Sequence, residues 1–569
     1  MMQSCGLKRS VLIVLIWYIT IVTCSIQVRW WQTEDKSGDR LTEKVPIELS
    51  EQIEIGDTIA SIEIDGSKEY QRILGFGGAF TQAAASVWQK LDKKKQEDLI
   101  AAYFDPERGI GYTFGRVPIN SCDFSPDTYS FDNVPGDYAL NFFDELVQVD
   151  ADRIIPMIKS AFKFTQKLKI LASPWSPPAW MKSNNNMLKG GKVNKTDDMD
   201  VWARYIMKWI SAYQNYEIPI WGLTVQNEPE SAQAWESCEY KPHEQAVFVD
   251  EFLGPYLTVN HPHVSLFGFD HNKNHLYKWA ETLFTNTSYF DGIAFHWYAG
   301  ACFTQIQRVA HDFPDKILLP SEACYELAQI PKEFFNPDTF LHHGNWARGE
   351  GYADDILKDL HAGSHGWIDW NLILDETGGP NHVGNLCDAP VLADVKFGQG
   401  DLYFHPQYFY LGHFSKFILP QSIRLGLNIQ ANASLTKLDH FDDCMGWPVY
   451  GACHPGSLKS VAFRRPDGQI ALVVMNCNDH ALDFRLSYKG LGSFKNIIPA
   501  HAIQTYLIPD LSTLFLPPPF NFLTLSTRSR LRALFSNSFS SLLFGIIFII
   551  SLSTFIYKGR QHRGSRRQP

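Results

Sequence analysis

The sequence predicts an α/β protein: a (β/α)8 TIM barrel with an associated β-sandwich domain built from both ends of the chain. Three observations predict it. Between residues 73 and 372, eight short apolar runs carry a polar or aromatic residue at or near their ends, with helical periodicity between most of them. After about Phe414 the texture changes to short alternating segments broken by turn residues. A similar alternating stretch, EQIEIGDTIASIEID (51–65), precedes the first run.

The eight runs are ILGFGGAF (73–80), YTFGRVP (112–118), KILASPW (169–175), IWGLTVQNE (220–228), VSLFGFD (264–270), GIAFHWY (292–298), ILLPSEA (317–323) and GWIDWNL (366–372). Barrel strands are covered on both faces, so continuous apolar runs are expected rather than alternation. VWARYIMKWISAYQ (201–214) and HEQAVFVDEFLGPYL (243–257) have the apolar spacing of helices that pack on such a barrel. Further on, SLKSVAFRRPDGQIALVVMNCN reads as two strands around an Arg-Pro-Asp-Gly turn, and FRLSYKG and AIQTYLI continue in that style. These readings divide the chain into an N-terminal sandwich contribution (26–72), a barrel (73–414) and a sandwich (415–510).

Both extremities are expected to have other roles. Lys8 and Arg9 precede an uncharged apolar run from Val11 to Val22, followed by Cys24 and Ser25, which has the form of a secretory signal peptide over 1–25. Residues 511–532 read as a linker. Residues 533–557 carry no charge and are followed by the basic tail 558–569, the pattern of a single-pass span with a cytosolic end. The sequons at Asn194, Asn286 and Asn432 fit a glycosylated lumenal body, although chance supplies some sequons in a chain this long.

Net charge is −10 and the body has no long basic block, which argues against a nucleic-acid partner. Ten cysteines without a CxxC pattern exclude a disulfide-dense scaffold and a zinc ribbon; Cys444 and Cys453, flanking MGWPVYGA, form the expected local bridge. Aromatics make up 14% of the chain, with 16 Trp, which serve sugar-binding clefts and large cores alike.

In a (β/α)8 barrel the active site lies at the C-terminal ends of the strands. There the runs deliver Arg116, Trp175, Asn227 with Glu228, His296 with Tyr298, Glu322, and Trp370. Glu228 and Glu322 end the fourth and seventh strands, and barrel closure turns both into one mouth. Two carboxylates at a mouth are the requirement of glycosidic cleavage: one protonates the leaving oxygen and then activates water, and the other attacks the anomeric carbon. The amide of Asn227 is placed to hold a sugar 2-hydroxyl. Glu228 has to keep a proton near working pH, and a negative Glu322 nearby raises its affinity for one. Arg116 keeps Glu322 ionised. Taken singly, a strand-end Glu is more often a cap, and His296 or Trp370 more often a core residue; the opposed pair shifts the balance to chemistry.

GFGGAFTQAAA, RVPINSCDFS, LASPWSPPAWMK, QNEP, GIAFHWY, SEAC, DWNLILDETGGPNHVGN and YLGHFSKFILP occur in this order between about Ile62 and Leu507. Together they resemble glycoside hydrolase family 30, and within it the lysosomal acid β-glucosidases. The resemblance implies a retaining β-glucosidase that releases glucose from glucosylceramide in a membrane, with no cofactor and no metal, in the lysosome lumen. It further implies a saposin-like activator and anionic lipids as partners. By motif, Glu228 is the acid/base and Glu322 the nucleophile; Arg116 and Asp123 support the nucleophile and grip glucose. Trp175, Asn227, Trp370 and Asn385 are sugar-binding positions, and His296 and Tyr298 tune the carboxylates. Cys122 and Cys324, beside site residues, read as packing.

The chain also departs from the family. It lacks the Cys-rich N-terminal segment, has Gly384 where the family has Arg, and carries a tail beyond residue 511 with no counterpart. The loop after QNEP is short, and Trp235 takes the place of aromatics at the aglycone entrance. Alternative readings are the same machinery acting on a steryl glucoside or β-xyloside, and an inactive glycolipid-binding membrane receptor.

Overall fold

The computed structural model describes residues 26–50, 60–193, 196–327, 337–431, 444, 451, 453–488 and 491–509. The expected signal peptide, linker, span and basic tail lie outside the described residues, as do Asn194 and Asn432. Among the described residues no helix is long and apolar enough to cross a membrane.

Three strands come first: β1 (Ile26–Glu34), β2 (Thr42–Leu49) and β3 (Ala60–Arg72). The barrel follows as β4 (Gly75–Ala79), β5 (Phe114–Ile119), β6 (Lys169–Pro174), β7 (Ile220–Thr224), β8 (Ser265–Asn272), β9 (Gly292–His296), β10 (Ile317–Glu322) and β11 (Gly366–Asn371). All eight predicted runs become these strands, paired in parallel and in sequence order. β11 returns to β4 in register from Gly366↔Gly75. The seam between β10 and β11 is closed by His365 N–H donating to Leu318 O at 2.9 Å and Trp370 N–H to Ala323 O at 3.0 Å.

The physical reason for the unbroken apolar runs is visible in burial. β4, β5, β9 and β11 are buried at every residue. Phe114, Leu171, Phe267, Ala294, Leu319 and Ile368 form a cluster of their own among the strands, apart from the larger one shared with the helices. The glycines of GFGGAF permit close approach: a Cβ on Gly77 would lie 2.1 Å from Phe114 O. The helix Thr196–Asn215 turns Trp202, Ile206, Trp209 and Tyr213 inward at helical spacing, all fully buried. The helix expected over 243–257 is interrupted. Pro242–Phe248 and Gly254–Asn260 are α-helical, with a π-turn at Val249–Leu253 between them. Pro255 explains this, because it has no N–H to donate and crowds the preceding turn.

A small sheet of β12 (Leu374–Asp375), β13 (Val391–Ala393) and β14 (Leu402–Phe404) extends the chain beyond β11. The second domain adds β15 (Ile423–Ala431), β16 (Lys459–Arg464), β17 (Gln469–Asn476), β18 (Leu482–Tyr488), β19 (Gly492–Ile498) and β20 (Ala502–Pro509). With β1–β3 these make one nine-stranded sheet in the order β19-β18-β3-β15-β16-β17-β20-β1-β2. The sheet folds over on itself: Ser50, after the last strand, exchanges two backbone hydrogen bonds with Ser493 of the first. Alternate residues such as Ile62, Ile64, Leu472, Val474, Phe484 and Leu486 fill its interior, the period-two pattern of a sandwich. Residues 465–468 form the predicted turn between β16 and β17.

The helix Pro406–Ser415 joins the two domains. Its buried His413 lies 2.8 Å from Thr505 Oγ1 of β20 and 2.9 Å from Thr33 Oγ1 of β1. Burial pushes this imidazole down to about 3, so it serves as a neutral hydrogen-bonding bridge.

The expected Cys444–Cys453 bridge is not formed. Cys444 pairs with Cys302, 142 residues away, and Cys453 pairs with Cys477. The antiparallel β16–β17 hairpin explains the second pairing, since it carries the end of β17 back past the segment preceding β16. Cys302 stands at the entry to the helix Phe303–Asp312, a position that proximity in sequence cannot reveal.

Candidate active site

Arg116 organises the mouth. It projects from β5 and is completely buried. Its guanidinium donates to Ser173 Oγ (3.1 Å), Asn227 Oδ1 (2.9 Å), Asp270 Oδ2 (2.9 Å) and Glu322 Oε2. One face lies 4.9 Å from the Trp175 ring centroid and 5.4 Å from that of Trp370. A rigid planar fork can reach several carboxylates at once and stack on an indole; a Lys ammonium cannot do both.

Glu322 closes β10 and is 8% exposed. Besides Arg116, it accepts a hydrogen bond from the Tyr298 hydroxyl at 3.0 Å on its other oxygen. Glu228 follows β7. It has positive φ, as do Phe269 and Asp270 at the neighbouring strand end, and such strain in non-glycine residues gathers at functional sites. The Glu228 backbone N–H donates to Asp270 O at 3.0 Å and that of Asn227 to Pro174 O at 2.8 Å, which pins QNEP between the ends of β6 and β8. His296 ends β9, with Nδ1 3.3 Å from Glu228 Oε1 and Nε2 3.1 Å from Asp270 Oδ1. The functional atoms of Glu228, His296 and Glu322 all lie within 4.8 Å of one another.

The remaining predicted residues gather around the same cavity. Its volume is about 200 Å³, and Asp123, Trp175, Asn227, Glu228, Trp235, Tyr298, Glu322, Trp370 and Asn385 all line it. Arg116 and His296 lie behind this lining. Trp175 and Trp370 stack at 5.2 Å. Asp123 Oδ2 accepts from the amides of Asn381 and Asn385, each at 3.2 Å, which holds the loop after β11 against the loop after β5. Asn286 is exposed at the end of the helix Leu276–Asn286, away from this constellation.

Asp270 is the functional residue that sequence reasoning passed over. Fully buried, it accepts from Arg116, from the Thr224 hydroxyl at 2.6 Å and from the Ser321 hydroxyl at 2.5 Å, and it meets His296. The signal was available in VSLFGFD, a strand run ending on a carboxylate as QNE does. Gln233, 3.5 Å from Glu228 Oε2, is a second such residue.

Electrostatics follow from these contacts. Burial works against the charge of Asp270, but Arg116 and His296 hold its carboxyl well below the usual range. Burial also opposes charge on His296, yet Glu322 and the hydrogen bonds to Asp270 and Glu228 push it up to about 9. For Glu228, burial raises the carboxyl, but the His296 hydrogen bond and the charges of His271 and His296 bring it below its ordinary value. The expected upward displacement is therefore overturned: burial does raise the carboxyl, but the His296 contact at 3.3 Å and the neighbouring imidazoles outweigh it. Asp123 is raised well above the usual range by burial and then by Glu322.

Glu228, His296 and Glu322 are also the one trio among the described residues with metal-ligand spacing. Glu322 already accepts from Arg116 and Tyr298, and the protonated His296 offers no lone pair, so a cation would have to displace those donors and that proton.

Residues 73–418 match the model of the glycosyl hydrolase family 30 TIM-barrel domain, and residues 451–506 that of the family 30 β-sandwich domain. The chain belongs to glycoside hydrolase family 30. It is 32% identical over 463 residues to the lysosomal acid glucosylceramidase of Mus musculus, covering 78% of this chain and 83% of that protein. Among solved structures, SrfJ from Salmonella typhimurium superposes on this family 30 hydrolase with a TM-score of 0.74 at 30% identity, over 85% of this chain and all of that one. The endo-1,6-β-D-glucanase neg1 of Aspergillus fumigatus is a more distant relative, 24% identical over 469 residues, covering 79% of this chain and 88% of that protein.

Proposed function

We propose that the protein is a retaining β-glucosidase that hydrolyses glucosylceramide to glucose and ceramide in two displacements. The observation that carries this is the close approach of Glu228 and Glu322, with carboxylate oxygens within 4.8 Å across a cavity walled by stacked Trp175 and Trp370. In retaining glycosidases the carboxyl groups are about 5–5.5 Å apart, whereas a pair separated by about 6.5–9.5 Å leaves room for a water and inverts.

Glu322 attacks the anomeric carbon, its oxygens aligned by Arg116 and Tyr298. Glu228 protonates the glycosidic oxygen, and ceramide leaves as the alcohol. The proton comes from the Glu228–His296 pair, which shares it across 3.3 Å. Once Glu322 is esterified its charge is gone, and with it the largest influence that holds the proton on His296. The imidazole is then a weaker base and the proton it gave up stays off, so Glu228, now a carboxylate, takes a proton from the water that attacks the anomeric carbon, which breaks the ester, releases glucose and restores Glu322. Asn227 Oδ1 is committed to Arg116, which leaves its amide N–H groups for the sugar 2-hydroxyl. Asp123, Trp175, Trp370 and Asn385 bind the remaining edge and face of glucose.

The named activity of the mouse relative and the single-ring size of the cavity favour a glucosyl lipid in a lysosomal membrane as substrate. The fungal relative supports a second reading, hydrolysis of another β-glycoside.

Hydrolysis of a fluorogenic β-glucoside and of glucosylceramide between about pH 4 and 7 tests the assignment. Glu322→Gln is expected to abolish turnover of both. Glu228→Gln is expected to lose natural substrate but recover with an activated leaving group. Cleavage of the simple glucoside alone would keep the chemistry and remove the lipid; cleavage of neither by folded wild type would remove the enzyme reading.

A further inference from the structure

Two thiols stand in the wall of the catalytic cavity, and the mechanism above uses neither. Cys324 follows Glu322 by two residues, and Cys387 follows Asn385 by two. The segments carrying them run antiparallel. Leu327 N–H donates to Leu386 O and Asp388 N–H to Tyr325 O, both at 2.8 Å, with Glu326 opposite Cys387. In that register Cys324 and Cys387 are diagonal neighbours on one face of the pair. Their thiols lie within hydrogen-bonding reach of each other, and both residues line the cavity. Both remain unbridged in a chain that forms two disulfides elsewhere, the mark of an oxidising compartment.

We propose that Cys324 and Cys387 form an oxidation site that a peroxide closes into a disulfide, and that closure slows the enzyme. One thiol sulfur attacks hydrogen peroxide, the O–O bond breaks, and a sulfenic acid and one water form. The second sulfur displaces the sulfenic oxygen, which leaves as water with the second thiol proton. Two S–H bonds and one peroxide become one S–S bond and two waters.

The cost to turnover comes from geometry. Diagonal neighbours on an antiparallel pair have Cα atoms about 7–8 Å apart, whereas a disulfide needs about 4.4–6.8 Å. Closure therefore draws the two segments together by roughly 1 Å. One segment carries Glu322 and the other carries Asn385, which holds Asp123 at 3.2 Å. It also changes the sulfur that lies 3.5 Å from the Tyr298 hydroxyl, the group that donates to Glu322. A misplacement of about 1 Å in such a site costs up to about a hundredfold in rate. Burial pushes the Cys324 thiol up to about 11, so the reactive thiolate is scarce in acid and the pair persists reduced there.

The full chain is treated with hydrogen peroxide at pH 8 and at pH 5, then read by intact mass, by peptide mapping without reductant, and by hydrolysis of a fluorogenic β-glucoside. At pH 8 the expected result is loss of two hydrogens, a peptide joining Cys324 to Cys387, and a fall of about tenfold to a hundredfold in kcat/KM that dithiothreitol reverses. Cys387→Ser and, as a second packing solution, Cys387→Val are each expected to keep their own untreated rate under the same dose. The proposal is overturned if both thiols remain alkylatable, if Cys324 joins Cys122 instead, if the joined form keeps full rate, or if the variants lose as much rate as wild type. The activity arm rests on the proposed hydrolysis; the mass and mapping arms do not, so a joined pair in a protein that cleaves no glucoside would refute that reading alone.

Discussion

Raising the pH from 6 to 9.5 removes a proton from the middle of the ion cluster at the barrel mouth, and stability is expected to fall with it. His296 is fully enclosed between Asp270 and Glu228, with Glu322 4.0 Å from Nε2. Its folded value of about 9 exceeds the ordinary 6.5, so the native state binds this proton more tightly than the unfolded chain does. The stabilisation is complete below pH 6.5 and is lost as pH rises through 9. At about 1.36 kcal/mol for each tenfold change in proton affinity, the gap is worth about 3 kcal/mol. That is a large part of the total stability of about 5–15 kcal/mol of a typical domain. Other groups titrate in this window, Lys182 among them, since burial brings it down to about 8. A difference measurement removes them. Urea unfolding of wild type and His296→Gln, followed by Trp fluorescence at pH 6 and 9.5, should show the stability gap between the two shrinking by about 3 kcal/mol across the range. A gap that stays constant with pH would mean that His296 is neutral in the native cluster, and the proton-sharing account of Glu228 would fall with it.

Arg116→Lys should lower kcat/KM for any β-glucoside by at least about a hundredfold and lower the melting temperature, because one ammonium cannot replace contacts to Ser173, Asn227, Asp270 and Glu322. Steady-state kinetics and thermal unfolding check it; near-wild-type kinetics would show that the fork geometry is dispensable. Cys453→Ser with Cys477→Ser should cost about 3.5 kcal/mol, from the chain entropy of a loop whose ends are 24 residues apart, with glucosidase rate unchanged at 25 °C. Gly77→Ala should destabilise by at least about 3 kcal/mol or prevent folding, since its Cβ meets the Phe114 carbonyl at 2.1 Å; soluble expression and urea midpoint report it.

Local patterns were the most legible part of the chain. Apolar runs of strand length gave all eight barrel strands, because a strand buried on both faces leaves its mark within a few residues. The Arg-Pro-Asp-Gly turn between β16 and β17 was legible for the same reason. Among site residues, the strand ends pointed to Arg116, Glu228, His296 and Glu322, and the structure brings these to one place. Asp270 was passed over because its role depends on four partners from four other strands, Arg116, Thr224, His296 and Ser321, none adjacent to it in sequence. The Glu228 displacement runs opposite to the expectation for a related reason: the imidazoles of His271 and His296 that lower it come from other strands. Disulfide pairing depends wholly on tertiary placement, and the nearest cysteine in sequence was the wrong partner.

The nine-stranded sheet has a consequence for how the protein comes to be made. β3 finds its neighbours only in β15 and β18, and Gln32 meets Gln504 across 472 residues of chain. At about 5–20 residues per second, the roughly 350 residues between β3 and β15 take about 20–70 s to synthesise. Throughout that interval the three leading strands have hydrogen-bonding edges with no native partner, while the barrel between them is still being assembled. The sandwich is thus complete only once the last strand has been made. A chain truncated anywhere before β20 keeps exposed strand edges that quality-control machinery can recognise, however well its barrel has folded.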